Sequence, residues 1–573
     1  SVLFKKCFGM KIAINNITFA NENKKERESA MIDHKIFYNG KIYTLDSHGS
    51  FFTAISVKDG QIVMIGSDED VLQSRSQSTC LVDLKGKTIL PGFTDCHVHI
   101  LAAGYGAMLI DAANKSKEEI LHLVQERAAH TEAGKWILGI GWNQDYWEDS
   151  QFPTKEELDA VSPQNPVKLV RYCGNAYWCN SLAIKAAGLE PCSDTGNAGK
   201  EFLCNENGEL DGTLVGEACR RIDEVIPPHD EQDIIAMLKA TEYSMFSKGI
   251  THVMDKGAGV ESALSTDCGR NIVRILENLY EKEELKLPIY EALVGDDEFF
   301  DECFKDGPIL PSYNGRFTLR CIKLWSDGAL GPISAFLSHD YKNRPGHRGN
   351  KKYTDDALIE LFQKADNKGL QIAAHTIGDA SSTQILDCYE KAFASSMQKD
   401  RRFIIDHFHL ANEHDINRLS KYKIINSTQF IQLSSDMEVL SDILDDDLIK
   451  QAYPWREILD CGGMLTNGSD VPVDPVDPFH SLYVAVSRKD LRGVNCIETA
   501  PYKTLSRLEA LQAYTTAAAY SMFLENEIGS LEVGKKADFI VLDRDYFTCP
   551  LNEIKDITVE KTVLNGEIVY ERI

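Results

Sequence analysis

The 573-residue chain lacks any uninterrupted apolar stretch of about 18 residues, the length a membrane-crossing helix needs. It also lacks a Cys-x-x-Cys pair. Its fifteen cysteines are scattered without a regular framework, which argues against a secreted disulfide scaffold and suits free thiols in a reducing, cytoplasmic setting. Basic residues are the third shortage: 61 Lys and Arg stand against 87 Asp and Glu, a net charge of −26. Such a surface repels phosphate backbones and anionic lipid, so neither nucleic acid nor membrane is expected as a partner. The acidity itself reads as solubility, and Asp445-Asp446-Asp447 as a solvated turn or helix start. A hydrophobic content of 43% supports a substantial core and excludes global disorder.

The most informative residues are 89–99. The apolar run Ile89-Leu90 breaks at Pro91-Gly92 and resumes as a short strand that ends in His97-Val98-His99. An i, i+2 spacing on a strand puts both imidazoles on one face. Two neutral imidazoles side by side are half of a divalent metal site. A purely structural histidine pair has the same look, so the decision rests on whether further ligands follow at strand ends.

Both chain ends carry hairpin signals. Asn39-Gly40 and Asp59-Gly60 punctuate alternating runs near the start, and Asn565-Gly566 does so near the end. We read residues 33–88 and 528–573 as one composite β-sandwich, preceded by a flexible extension over 1–32. The intervening 89–527 then forms a single unit. Strand-like runs fall at about 90–98, 250–255, 288–294, 319–326, 371–376, 402–407, 424–429 and 463–470, with helix-like stretches between most of them. Eight such units predict an α/β fold, the (β/α)8 barrel. Roughly 150 residues separate the first two strands, too many for one helical crossover. An inserted subdomain at about 103–240 is therefore expected over the barrel mouth, with strands of its own at Trp136–Ile140 and Val167–Val170.

At the C-terminal ends of these strands stand His97 and His99, then Lys323, His375, His407 with His409 two residues later, and Asp470. All strand C-termini of a barrel surround one opening, so residues remote in sequence converge. Each alone reads as an ordinary structural residue; six at matching ends do not.

Several stretches resemble the amidohydrolase superfamily, and within it the YtcJ-like branch that includes N-substituted formamide deformylases. They are Leu90 to His99, Gly141-Trp142-Asn143-Gln144, Ile322 to Gly331, His375-Thr376-Ile377-Gly378-Asp379, Tyr453-Pro454-Trp455-Arg456, Gly468 to Val473 and Gly529 to Asp538. The resemblance implies that His97, His99 and Asp470 hold one metal ion and that His375 and His407 hold a second. Lys323, if carboxylated by CO2, bridges the two. Zinc is the expected metal, two ions per chain, given imidazole and carboxylate ligands. Water activated between two such ions attacks the substrate as hydroxide, and Asp470 carries its proton to the leaving amine. The chain departs from the branch at Asn175, where a histidine is usual, and at Asp406, where a glutamate is usual.

The implied activity is metal-dependent hydrolysis of a non-peptide C–N bond in an amide, N-formyl amine or cyclic amide, with a small molecule as substrate. Trp142, Asn175 and Glu217 are the expected substrate contacts, although core packing for the tryptophan and a helix start for the glutamate read equally from sequence. Two alternatives stay open: the same site acting on esters or lactones, and a barrel kept as a non-catalytic binding or regulatory protein. A homodimer is compatible with a barrel of this size.

Overall fold

The computed structural model describes residues 34–189, 202–204, 210–259, 266–294, 297–397, 399–497 and 503–572. The expected extension over 1–32 and the loop-rich stretch 193–199 lie outside them. Among the described residues no helix is long and apolar enough to cross a membrane. The cysteines whose side chains are described are free thiols.

The chain divides into two compact units, one spanning Gly104–Met237 and the other holding the described residues before and after it. In the larger unit eight parallel strands follow one another in chain order: β1 (Phe93–Val98), β2 (Ile250–Gly259), β3 (Ile289–Val294), β4 (Phe317–Trp325), β5 (Gln371–Thr376), β6 (Ile404–His407), β7 (Ile425–Thr428) and β8 (Met464–Asn467). They are the eight expected from sequence. The last strand returns to the first through backbone bonds just past its end. Asp470 N–H donates to His97 O at 2.7 Å, and His99 N–H to Val471 O at 3.1 Å. Gly468 makes that approach feasible, since a Cβ there would stand 2.4 Å from the His97 nitrogen.

Inside the barrel Met254, Tyr290, Cys321, Ala373, Ile404 and Ile425 pack into one apolar cluster contributed by six successive strands. The Tyr290 hydroxyl, fully buried with them, donates to Gln371 Oε1 at 2.8 Å. This layer is the floor on which the site stands.

Two sheets form the sandwich. One has four strands, Gln61–Gly66, Ala54–Lys58, His34–Tyr38 and Cys80–Asp83; the other joins Lys41–Tyr43 and Thr88–Pro91 to Phe539–Leu542, Val559–Leu564 and Glu567–Glu571. Their inner faces meet over Phe37, Ile55, Ile89, Phe539 and Val541, with the Phe37 and Phe539 rings edge to face at 4.9 Å.

The inserted unit is built on a six-stranded sheet. Its central strands, Ile137–Trp142, Val167–Arg171 and Ala176–Cys179, cover Trp142, Trp147, Trp178, Val167 and Leu169.

Candidate metal centre

Side chains on a strand alternate between faces, so residues two apart share one. Two positions beyond the floor residues Met254, Cys321, Ala373 and Ile404 stand Lys256, Lys323, His375 and Asp406. All four are buried, and they replace an apolar layer by a charged one. His407 breaks the alternation, because Asp406 already holds the inward position. The left-handed backbone of His407 (φ 69°) and Phe408 (φ 55°) turns the chain there, and the His407 ring comes to 4.5 Å from that of His375 and 4.9 Å from that of His97. Asp470 also sits in the left-handed region, at φ 59°.

His97, His99 and Asp470 come together. Asp470 Oδ1 lies 3.4 Å from His97 Nε2 and 3.1 Å from His99 Nε2, and one ligand atom from each residue falls within 4.8 Å of the others. Burial alone raises the Asp470 carboxyl, but the His97, His99 and His407 rings outweigh it and hold the group well below the usual carboxylate range. Burial, reinforced by the nearby Lys323 charge, pushes His97 down to about 4, so its imidazole is neutral near neutral pH. A carboxylate with neutral imidazoles is the donor set a divalent ion requires.

The groups behind these side chains are as specific. Asp95, fully buried, accepts from the backbone N–H groups of His97 and Ser469, which ties β1 to the segment after β8. Gln429 places its amide 3.1 Å from His97 Nδ1, and Gln432 Nε2 donates to Asp470 Oδ2 at 2.8 Å. Asp327 orients His375 through Nδ1 at 3.0 Å, leaving the other ring nitrogen free of that bond, and accepts from the Gly378 and Phe336 amides as well. Carboxylate-to-histidine contacts of this kind fix ring orientation at metal sites. His407 Nδ1 is buried with no hydrogen-bond partner, as expected of a nitrogen reserved for an ion. The residues present therefore fit a divalent metal.

Lys323 lies within the same layer, its ammonium against Asp406 Oδ2, while Lys256 Nζ lies 3.2 Å from Asp406 Oδ1. Burial alone raises the Asp406 carboxyl, but the two lysines hold it well below its ordinary range. Sequence reasoning missed Lys256, Asp95, Asp327, Gln429 and Gln432. The signal for Lys256 was a lysine just past the apolar run of β2; the glutamines show only as an i, i+3 pair after β7.

The inserted unit uses its motif differently. Trp142 is fully buried, its ring close to those of Trp147 and Trp178, and its indole N–H donates to Leu169 O at 2.8 Å. Trp142 thus packs in the core of the inserted unit, the second of the two readings that the sequence left open. Asn143 and Gln144 both accept from the Arg171 guanidinium. Asn175 is exposed in the turn before Ala176–Cys179. Glu217 is exposed at the first position of helix Glu217–Val225 and paired with Arg220, which holds its carboxyl below the usual range.

Residues 81–570 match the model of the amidohydrolase family. The chain belongs to the amidohydrolase family. It is 31% identical to the putative amidohydrolase YtcJ of Bacillus subtilis, over 94% of this chain and 99% of that one. It is 25% identical to the N-substituted formamide deformylase of Arthrobacter pascens, over 93% and 98%. Among solved structures, an uncharacterized metal-dependent hydrolase from Pyrococcus furiosus superposes with a TM-score of 0.70 at 26% identity, covering 90% of this chain and all of that one. Membership accounts for the eight-stranded barrel.

Proposed function

We propose that this amidohydrolase cleaves a non-peptide C–N bond, in an N-formyl amine, an amide or a cyclic amide. The observation that carries the reading is the convergence of His97 Nε2, His99 Nε2 and Asp470 Oδ1 at the open end of the barrel. The similarity to an N-substituted formamide deformylase over nearly the whole chain supports the bond class. His97, His99 and Asp470 would hold one divalent ion, zinc by the nature of the ligands. His375 and His407 would hold a second, with Lys323 as a bridging ligand once CO2 has carboxylated its amine. Bound there, the metal supplies a Lewis acid for the substrate carbonyl and lowers the pKa of water into the neutral range.

The chain's own residues do the rest. Asp470 is anionic across the neutral range and holds one oxygen on Gln432. Its other oxygen takes the proton of the attacking water and returns it to the nitrogen of the departing amine. Gln429 aligns the His97 ring, and the Asp95-bound backbone fixes the strand end that carries His97 and His99. Lys256 keeps Asp406 paired when Lys323 no longer carries a positive charge.

The test joins elemental analysis to a substrate panel, on protein purified without chelator in bicarbonate buffer. About two ions per chain with turnover of N-formyl or N-acyl amines supports the reading. Turnover of esters and lactones alone moves the bond class, and no metal uptake with no turnover leaves a binding protein.

A further inference from the structure

The side chains proposed to hold metal are not equally covered. That of His99 is 24% exposed, against 1% for His97 and 0% for Lys323. Approach to the centre therefore runs past the His99 ring.

Trp325 stands on that approach. It ends β4, two residues past Lys323 and in register with His375, so it shares their inward face. Its ring centroid lies 5.9 Å from Lys323 Nζ, and the residue is partly exposed. The charged layer separates it from the apolar floor: Cys321 belongs to the floor, Lys323 to the charged layer, and Trp325 stands above both. Its indole is therefore not part of the barrel core, unlike the buried Trp142 and Trp178 in the core of the inserted unit.

Gly257, near the end of β2, links this indole to His99. A Cβ built on the glycine would lie 3.7 Å from His99 Nδ1, 3.7 Å from Trp325 Cη2 and 3.1 Å from Val294 Cγ2. The imidazole, the outer edge of the indole and a buried valine thus gather round one bare backbone position. A larger side chain there would have to displace one of them.

The direction of the reaction selects what this wall meets. The proton carried by Asp470 ends on the departing nitrogen, so that nitrogen has to lie beside Asp470 Oδ1, which is 3.1 Å from His99 Nε2. The other nitrogen of the same ring faces Gly257. A group on the departing nitrogen that runs along the exposed edge of His99 then reaches Trp325 and Val294, a flat apolar surface suited to stacking.

We propose that Trp325 is a specificity-determining residue: its ring is the wall against which a flat apolar group on the departing nitrogen packs, so that amides of arylamines are preferred to those of alkylamines. This deepens the hydrolase reading given above and rests on its metal site.

The experiment uses N-hydroxyformamides that carry phenyl or cyclohexyl on nitrogen. Both grip zinc through the same two oxygens and differ in the flatness of the group offered to Trp325. Calorimetric titration of the zinc-loaded full-length chain gives their affinities, with zinc content and thermal unfolding measured for each variant. Comparing variants by the phenyl-to-cyclohexyl ratio cancels the chelating strength of the compounds themselves. Trp325→Leu, apolar but not flat, is expected to lower that ratio about five- to tenfold, the size of a lost aromatic pair, and Trp325→Phe less than twofold. Trp325→Met removes the flat face in a second way and should fall with leucine, which keeps the test open if one of the two does not fold.

A wild-type ratio in the folded, zinc-loaded Leu and Met variants overturns the proposal. So does a loss in Trp325→Phe as large as that in Trp325→Leu. A wild-type chain that takes up no zinc overturns the metal-site reading and the proposal with it. No turnover enters the measurement, so the expected ratios in a chain that hydrolyses no amide overturn the bond class and uphold the wall.

Discussion

The barrel mouth and the inserted sheet both carry family motifs rich in polar and aromatic residues, yet they treat their polar atoms in opposite ways. Around the barrel mouth His407 Nδ1, His409 Nε2, Gln429 Oε1 and Gln432 Oε1 are buried and lack partners. Among the described residues of the inserted unit no buried side-chain nitrogen or oxygen does. There the indoles of Trp142, Trp147 and Trp178 each donate to a backbone carbonyl, and Arg171 engages Asn143 and Gln144 together. A motif shows that residues matter; unmet bonding capacity shows where a ligand is expected.

Substitutions at six positions press on this contrast. Asp470→Asn should have the largest effect, lowering kcat/KM by about 10²- to 10⁴-fold, the usual contribution of a proton carrier. An unchanged unfolding midpoint would separate lost chemistry from lost fold, and a normal rate would remove Asp470 from proton transfer. Lys323→Ala should lose the second ion and most activity, with formate or acetate partly restoring both by replacing the missing anion. Full activity in that variant sinks the bridging role.

In the metal-free chain, with Lys323 uncarboxylated, Asp406→Asn leaves two buried ammonium groups without their carboxylate. It should cost about 3–5 kcal/mol in denaturant unfolding, more than Lys256→Met, which leaves the Lys323 pair in place. Equal costs would mean that Lys256 and Lys323 are not sharing one partner. In the inserted unit, Trp142→Ala should lower local stability by about 3–5 kcal/mol while leaving metal content unchanged. Should Trp142→Phe raise KM with no change in unfolding, the indole returns to the substrate and the contrast weakens. Glu217→Gln should alter neither kcat nor KM; a tenfold loss would bring that glutamate back into the site.

The barrel was legible because its strands are short apolar runs, and β1, β4, β5, β6 and β8 carry a chemically distinctive residue at or just past their ends. His97, His99, His375, His407 and Asp470 announce themselves at those ends, and the i, i+2 pair needs only local geometry. Lys256 did not. Nothing near it in sequence shows that a lysine after Met254-Asp255 is buried, because its partner Asp406 lies across the barrel on β6. The Gln429 and Gln432 pair was hidden for a similar reason: polar residues at a helix start read as solvent-facing until their neighbours are known. Trp142 stayed ambiguous, since an aromatic residue in a motif looks the same whether it packs against Leu169 or against a substrate.

The sandwich has a consequence for how the protein is made. Thr88–Pro91, the lead-in to β1, is hydrogen-bonded to Phe539–Leu542, with Ile89 opposite Val541. During synthesis that strand leaves the ribosome ahead of the barrel and has no partner on this edge until all eight barrel strands have followed. The lead-in to the strand of His97 is thus secured by residues translated after the whole barrel. A ribosome-bound chain halted before residue 539 should expose Ile89 and Leu90 as a sticky edge and depend on chaperones, however complete its barrel strands are.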